Sequence, residues 1–322
     1  MFTSKKTVQL AVLIMMITAV LLAGCTKQNT GNEQAAAAEA TPLTRMISTV
    51  KGEIEVPLTP DRVIVDWNIG HVLAVGVTPI GVPGSLLEYG EFLREPLQGV
   101  EDIGNHNEVS LEKIIGLNPD LIITWNQDAY EAYSKIAPTV VFNTADYSSM
   151  QEEVRAMGTI LNREKEAEQW NESFGQRAAA ASSKALAAVP PGATFTIADF
   201  NWLTNVGIVG NSSNRGGKAV YELLGLTPAP KVQEDLIAKG EESADVSSEV
   251  FDQYAGDYLL IMKTEGAANE TIPEVWNGLD AVKNSRLYEL DIHQYLSSDP
   301  YTSILQAEDI AGRLASGQTR LQ

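Results

Sequence analysis

Residues 164–188 read EKEAEQWNESFGQRAAAASSKALAA, and this stretch decides the architecture. It contains no proline and one glycine, Gly175. Ala, Glu, Gln, Lys, Arg and Leu make up most of the rest, residues that lose little conformational freedom in a helix. Pro190-Pro191-Gly192 stops it. About 25 residues rising 1.5 Å each span roughly 38 Å, the width of a small domain. The composition predicts one continuous helix over 164–189, long enough to join two separate bodies.

The segments on either side share one grammar. Residues 62–65 (RVIV) read as a strand, 70–75 as a short helix, and 78–82 (TPIGV) as a turn into a second strand. Ser110 opens a helix (SLEKIIGL), because its hydroxyl can accept from the free N–H groups of a first turn. Asn118-Pro119 closes that helix, and 120–124 (DLIIT) reads as a buried strand. Ala137-Pro138 leads into the strand 139–142. The second half echoes the first. EVSLE at 108–112, followed by DLII at 120–123, returns as DVSSE at 245–249 followed by DYLL at 257–260; VGVTP at 75–79 returns as LGLTP at 224–228. Strands alternating with helices imply mostly parallel sheets covered on both faces. The expected fold is α/β, two Rossmann-like lobes joined by a single long helix. Residues 57–163 form the N-terminal lobe, 164–189 the interlobe helix and 190–322 the C-terminal lobe. A helical joint limits hinge closure to a small rocking motion.

Composition bounds the function. The 322 residues are 44% hydrophobic and carry 23 Lys+Arg against 42 Asp+Glu, a net charge of −19. That excludes a nucleic-acid surface, which needs cations to neutralise phosphates. One cysteine excludes a disulfide framework and Cys-rich metal clusters. The sequence holds no G-x-S-x-G elbow, Walker A loop or H-E-x-x-H motif, and the glycine-rich 210–217 stretch lacks the Lys-Ser/Thr ending of a phosphate loop. The reading is that the chain is not an enzyme.

The N-terminus is an address. Lys5 and Lys6 precede an apolar run over 8–22 that is short for a bilayer span, and the run ends in Leu22-Ala23-Gly24-Cys25. This is the pattern of a lipoprotein signal peptide (1–24) cleaved before a lipidated Cys25. Residues 26–41 are polar and low in complexity, and 25–56 read as a flexible tether and lead into the fold. The expected location is the extracytoplasmic face of the cell membrane, held by acyl chains.

A lipobox, a tether and two lobes on one helix resemble the substrate-binding lipoproteins of iron–siderophore ABC importers. RVIV at 62–65, LAVGVTPIG at 73–81, DIG at 102–104, SLEKI at 110–114, LNPDLII at 117–123, KIAPTV at 135–140 and WNGLDAVKN at 276–284 carry the resemblance, in that order. The ferric hydroxamate-binding type is the most similar, through NRGG at 214–217 with AVYELLGL at 219–226, YAGDY at 254–258 and Asp299-Pro300. The resemblance implies that Arg215 binds hydroxamate oxygens. Ser212 and Ser213 stand where that type commonly has an aromatic.

A hydroxamate siderophore wraps Fe(III) in six oxygens, so a complementary site needs aromatic walls and one or two donors, with the iron held by its chelator. No cofactor and no protein metal ligand is expected. Such side chains belong just beyond the carboxyl ends of strands: Trp67, Trp125 and Tyr147 in the first lobe, Trp202, Arg215 and Tyr295 in the second. Trp170, Trp276, Tyr221 and Tyr258 read as packing residues. The few cations favour a near-neutral or cationic chelate over an anionic one. The resemblance further implies that Glu108 and Asp245 dock onto a permease dimer, with Glu222 competing for the second position, and that the receptor acts as a monomer. A haem, cobalamin or ferric citrate receptor on the same scaffold stays open, with Tyr295 or His71 as an axial ligand to haem. An extracellular siderophore-processing enzyme is the reading from another class.

Overall fold

A computed structural model describes residues 43–88, 90–199, 205–211, 214–263 and 274–319. Cys25, Trp202, Ser212 and Ser213 lie outside them. The described chain starts with a hairpin, β1 (Thr44–Thr49) and β2 (Gly52–Pro57). The hairpin lies in the stretch read as the entry to the fold. Ile47 and Val56 are buried against the first lobe, and Arg45 donates to the Thr159 and Ile160 carbonyls.

The first lobe is built on β3 (Val63–Val65), β4 (Gly81–Val82), β5 (Glu101–Asp102), β8 (Leu121–Thr124) and β9 (Thr139–Val141). They lie in the order β5-β4-β3-β8-β9, and all pairs are parallel. A short ribbon, β6 (Gly104–Asn105) with β7 (Glu108–Val109), leads into the helix Leu111–Leu117. Ser110 caps that helix by accepting from the Lys113 amide, and Asn118 closes it with a left-handed backbone, as its sequence predicts. Both faces of the sheet are covered. Val63, Val65, Leu121 and Ile123 pack on one side, and Ile64 and Ile122 pack with Ile103 and Ile114 on the other.

In the second lobe β10 (Thr194–Asp199), β11 (Asn205–Val209), β13 (Ser243–Ser247), β14 (Tyr258–Lys263) and β15 (Leu287–Asp291) run in the order β13-β11-β10-β14-β15, with β12 (Thr227–Pro228) also on β10. This sheet is mixed: β10, β14 and β15 are parallel, whereas β11 runs antiparallel to both β10 and β13. Phe195, Ile197, Leu260 and Met262 face one core and Ala198, Ile208, Leu259 and Ile261 the other. Trp276 is buried flat against Phe251, and Trp170 stacks on Phe174, both as packing residues.

Between the sheets run α1 (Met150–Leu161) and the long α2 (Glu164–Ala187). Twenty-four residues make α2 about 36 Å long. The link is not α2 alone. The C-terminal helix α3 (Pro300–Ser316) lies along α2, with Arg177 forked onto Glu308 through two bonds of 2.7 Å, and also packs against the first-lobe helix Ile69–Ala74. No described helix is long and apolar enough to cross a membrane.

Candidate ligand-binding cleft

The carboxyl ends of the strands deliver the site. β3 runs out into Asp66-Trp67-Asn68, β8 into Trp125 and β10 into Asp199. Just beyond these ends lies a cavity of about 350 Å³. Trp67, His71, His106 and Glu153 line it from the first lobe, and Asn214, Lys218 and Asp299 from the second.

Trp67 and Trp125, on adjacent strand ends, stand with ring centroids 5.8 Å apart, each 47% exposed. Large aromatics left this open are out of place unless something covers them. Trp67 also meets the His106 imidazole at 5.6 Å, and Ser85 holds that ring through Nδ1 at 3.0 Å. Beneath the two indoles Asp66 is buried. Its carboxylate accepts from the Trp125 amide at 3.3 Å and from Thr124 Oγ1 at 2.5 Å. Burial pushes the Asp66 carboxyl up to about 6, against the opposing pull of these hydrogen bonds. Burial, followed by the neighbouring Asp66 charge, holds the Tyr133 phenol above its ordinary value.

Arg215 has a left-handed backbone (φ 58°) and donates from Nε to Asp199 at 2.5 Å and from Nη1 to Asn214 at 3.1 Å. Its loop is stitched to residues 296–297: Asn214 bridges Ser297 and the Arg215 amide reaches the Leu296 carbonyl. The next residue, Gly216, also has a positive φ (75°), and a Cβ there would fall 2.9 Å from Tyr295 Cδ1. Only glycine fits that combination.

Tyr295 therefore sits beneath the Arg215 loop and not on the cleft wall. It is fully buried in the second-lobe core and donates its hydroxyl to Asp309 at 2.6 Å. Burial first, then the Asp309 charge, raises its phenol well above the ordinary value. The sequence places an aromatic after β15 but gives no sign that Asp309, on α3, would draw it inward. Tyr147 is half-buried and stacks on Phe142 at 5.2 Å; its neighbour Thr144 reaches the cavity. Glu108 is exposed on β7. Asp245 is exposed on the edge strand β13, with no Ser-capped helix after it, so the two acids do not occupy equivalent elements.

Two residues missed in the sequence, Glu153 and Lys218, meet His71 at the cavity. Glu153 on α1 is buried, bonded at 2.8 Å to His71 Nε2 and facing Lys218 Nζ at 3.8 Å. They lie 82 and 65 positions from Glu153, so no local pattern could reveal them. Among the described residues, no three His, Cys, Asp or Glu side chains converge as a metal site.

A cleft of this kind, with walls from two α/β lobes and a stiff helical link behind it, defines a solute receptor of the class III periplasmic type. Residues 63–292 match the family model described as periplasmic binding protein, and the chain belongs to that family. It is similar to the iron(3+)-hydroxamate-binding protein YxeB of Bacillus subtilis (strain 168), 31% identical over 318 residues and covering 96% of this chain and 97% of the relative. Among solved structures it is similar to the periplasmic binding component of a ferrichrome ABC transporter from Bacillus subtilis. There the TM-score is 0.74 at 29% identity, over 84% of this chain and 99% of that one. FhuD2 from Staphylococcus aureus with bound ferrioxamine B gives a TM-score of 0.68 at 26% identity, over 80% and 99%.

Proposed function

We infer that the protein captures a ferric siderophore of hydroxamate type and delivers it to an ABC importer, without catalysing a reaction on it. One observation carries the reading: two half-exposed indoles stand together, Trp67 lining the cavity and Trp125 packed beside it, and the Arg215 loop braces the second-lobe wall through Asn214 and Ser297. Flat apolar faces suit the organic backbone of the chelate, and a guanidinium suits its metal-bound oxygens. Arg215 already has Asp199 as counter-charge, which fits a chelate of low net charge. The relatives named for ferric hydroxamate and ferrioxamine B support the same class. Trp202 and Tyr147 complete the proposed ligand-facing set.

The lobe limits are taken as 57–163 and 190–322 on either side of an interlobe helix over 164–189. Glu108 and Asp245 are the proposed contacts with a permease dimer, made by a monomeric receptor tied to the extracytoplasmic face of the cell membrane through lipidated Cys25. Among relatives, one named as a siderophore-binding lipoprotein supports the anchoring.

Titrating ferric desferrioxamine should quench tryptophan fluorescence, and Arg215→Ala should weaken that binding by about 1.5 kcal/mol or more, the worth of a charge-assisted hydrogen bond. If no ferric hydroxamate quenches while haem or ferric citrate does, the ligand class is wrong.

A further inference from the structure

Two described cations at the cleft each have an acidic mate. Arg215 is held by Asp199, and Lys218 faces Glu153. The second pair differs in lining the cavity itself. At 3.8 Å the Lys218–Glu153 contact is Coulombic and not a hydrogen bond. The ammonium is neutralised, yet its N–H donors are not committed to that carboxylate. The other oxygen of Glu153 is taken by His71 Nε2 at 2.8 Å, while His71 Nδ1 is buried without a hydrogen-bond partner. A carboxylate can only accept, so it is His71 Nε2 that donates to Glu153. Glu153 and Lys218 therefore set opposite charges against each other on the cavity wall.

We propose that Glu153 sets the charge preference of the cavity: it cancels Lys218, so that near-neutral ferric chelates are accepted and polyanionic ones are refused. The geometry gives Lys218 two roles according to its neighbour. Beside ionised Glu153 it is a donor to a neutral ligand's oxygen. With Glu153 neutral it becomes an uncompensated cation in a partly desolvated pocket, where an anionic carboxylate ligand gains most. Glu153 is a specificity determinant of this kind because it acts on the ligand's charge through Lys218 and need not touch the ligand. This deepens the proposed function and rests on it.

The test compares ferrichrome, a neutral hydroxamate chelate, with ferric citrate, an anionic carboxylate chelate, by tryptophan fluorescence on the full mature protein. Glu153→Gln keeps the shape and an acceptor for His71. It should raise affinity for ferric citrate relative to ferrichrome on the order of tenfold. Adding Lys218→Gln to that variant should abolish the gain. Lys218→Gln alone, at a partly exposed position, leaves Glu153 uncompensated and should favour cationic ferrioxamine B over ferrichrome even if Glu153→Gln fails to fold. An unchanged citrate-to-ferrichrome ratio in Glu153→Gln, or a gain that survives loss of Lys218, overturns the role of Glu153 while leaving the receptor reading intact. Wild-type protein that binds neither chelate overturns both.

Discussion

Asp66 occupies a position where the fold accepts a cost to position its aromatics. Its carboxylate bridges the ends of β3 and β8, gripping the Trp125 amide directly beneath the exposed indole pair. Burial raises the carboxyl from an ordinary 3.8 to about 6. Between those two values the unfolded chain has released a proton that the folded chain still holds. Stability is therefore fully present below pH 3.8 and falls as pH rises towards 6, then levels off. The rise corresponds to roughly 3 kcal/mol at most. Asp66→Asn keeps an acceptor for the Trp125 amide and has no charge to bury. Urea denaturation at stepped pH should show the variant gaining on wild type from pH 4 to 6, with a constant advantage above that. A difference that does not change with pH would mean that Asp66 is not the buried acid described. Ligand affinity is expected to move the other way, because Asn grips the Trp125 amide less firmly than a carboxylate does.

At the scale of elements, the internal echo has a physical basis. Asp120, just ahead of β8, accepts from the Asp61 and Arg62 amides at 2.9 and 3.0 Å; Asp257, just ahead of β14, accepts from the Thr194 amide and hydroxyl at 2.9 Å each. In each lobe the acid ties the start of one central strand to its parallel neighbour. Likewise Gly76 and Gly225 both take positive φ, ahead of the short strands β4 and β12 that pair with β3 and β10. Asp120→Ala and Asp257→Ala should each cost about 1–2 kcal/mol in denaturant unfolding, since the first removes the charged acceptor of two backbone amides and the second that of an amide and a hydroxyl, whereas the exposed Glu112→Ala should stay within about 0.5 kcal/mol. Equal, negligible effects for all three would remove the structural meaning of the repeat. These features were legible because capping acids, turn glycines and apolar runs act locally. The Asp245 segment was not, because the same residue types that precede a helix at 108–112 form an edge strand on β11 at 243–247, and only tertiary pairing distinguishes the two. Trp67 and Trp125 were readable as residues following strands. Tyr295 was misplaced because its partner Asp309 comes from another helix.

For the molecule as a whole, the two lobes meet at one point of unusually close approach. Gly70, in the first-lobe helix Ile69–Ala74, lies so near the second-lobe residue Asp299 that a Cβ on it would fall 1.7 Å from Asp299 Oδ1. Asp299 has little room to yield. Its carboxylate caps α3 through the Thr302 amide at 2.9 Å and holds Ser297 Oγ at 2.9 Å, and Ser297 bridges to Asn214 beside Arg215. A methyl group at residue 70 therefore has two outlets: it breaks the cap of α3, or it wedges the lobes apart at the base of the cleft. Overpacking of this sort costs about 1–3 kcal/mol, and loss of a cap about 1. Gly70→Ala should thus lower stability by that amount and also weaken ferric hydroxamate binding, because the Asn214–Ser297 bridge beside Arg215 is displaced with the lobe. Asp299→Ser restores space while keeping a capping oxygen. In a double-mutant cycle Gly70→Ala with Asp299→Ser should recover most of the lost stability, giving a coupling of at least about 1 kcal/mol. Simple additivity of the two changes would show that the lobes tolerate a side chain at residue 70, and that the cleft is not held at its base by this contact.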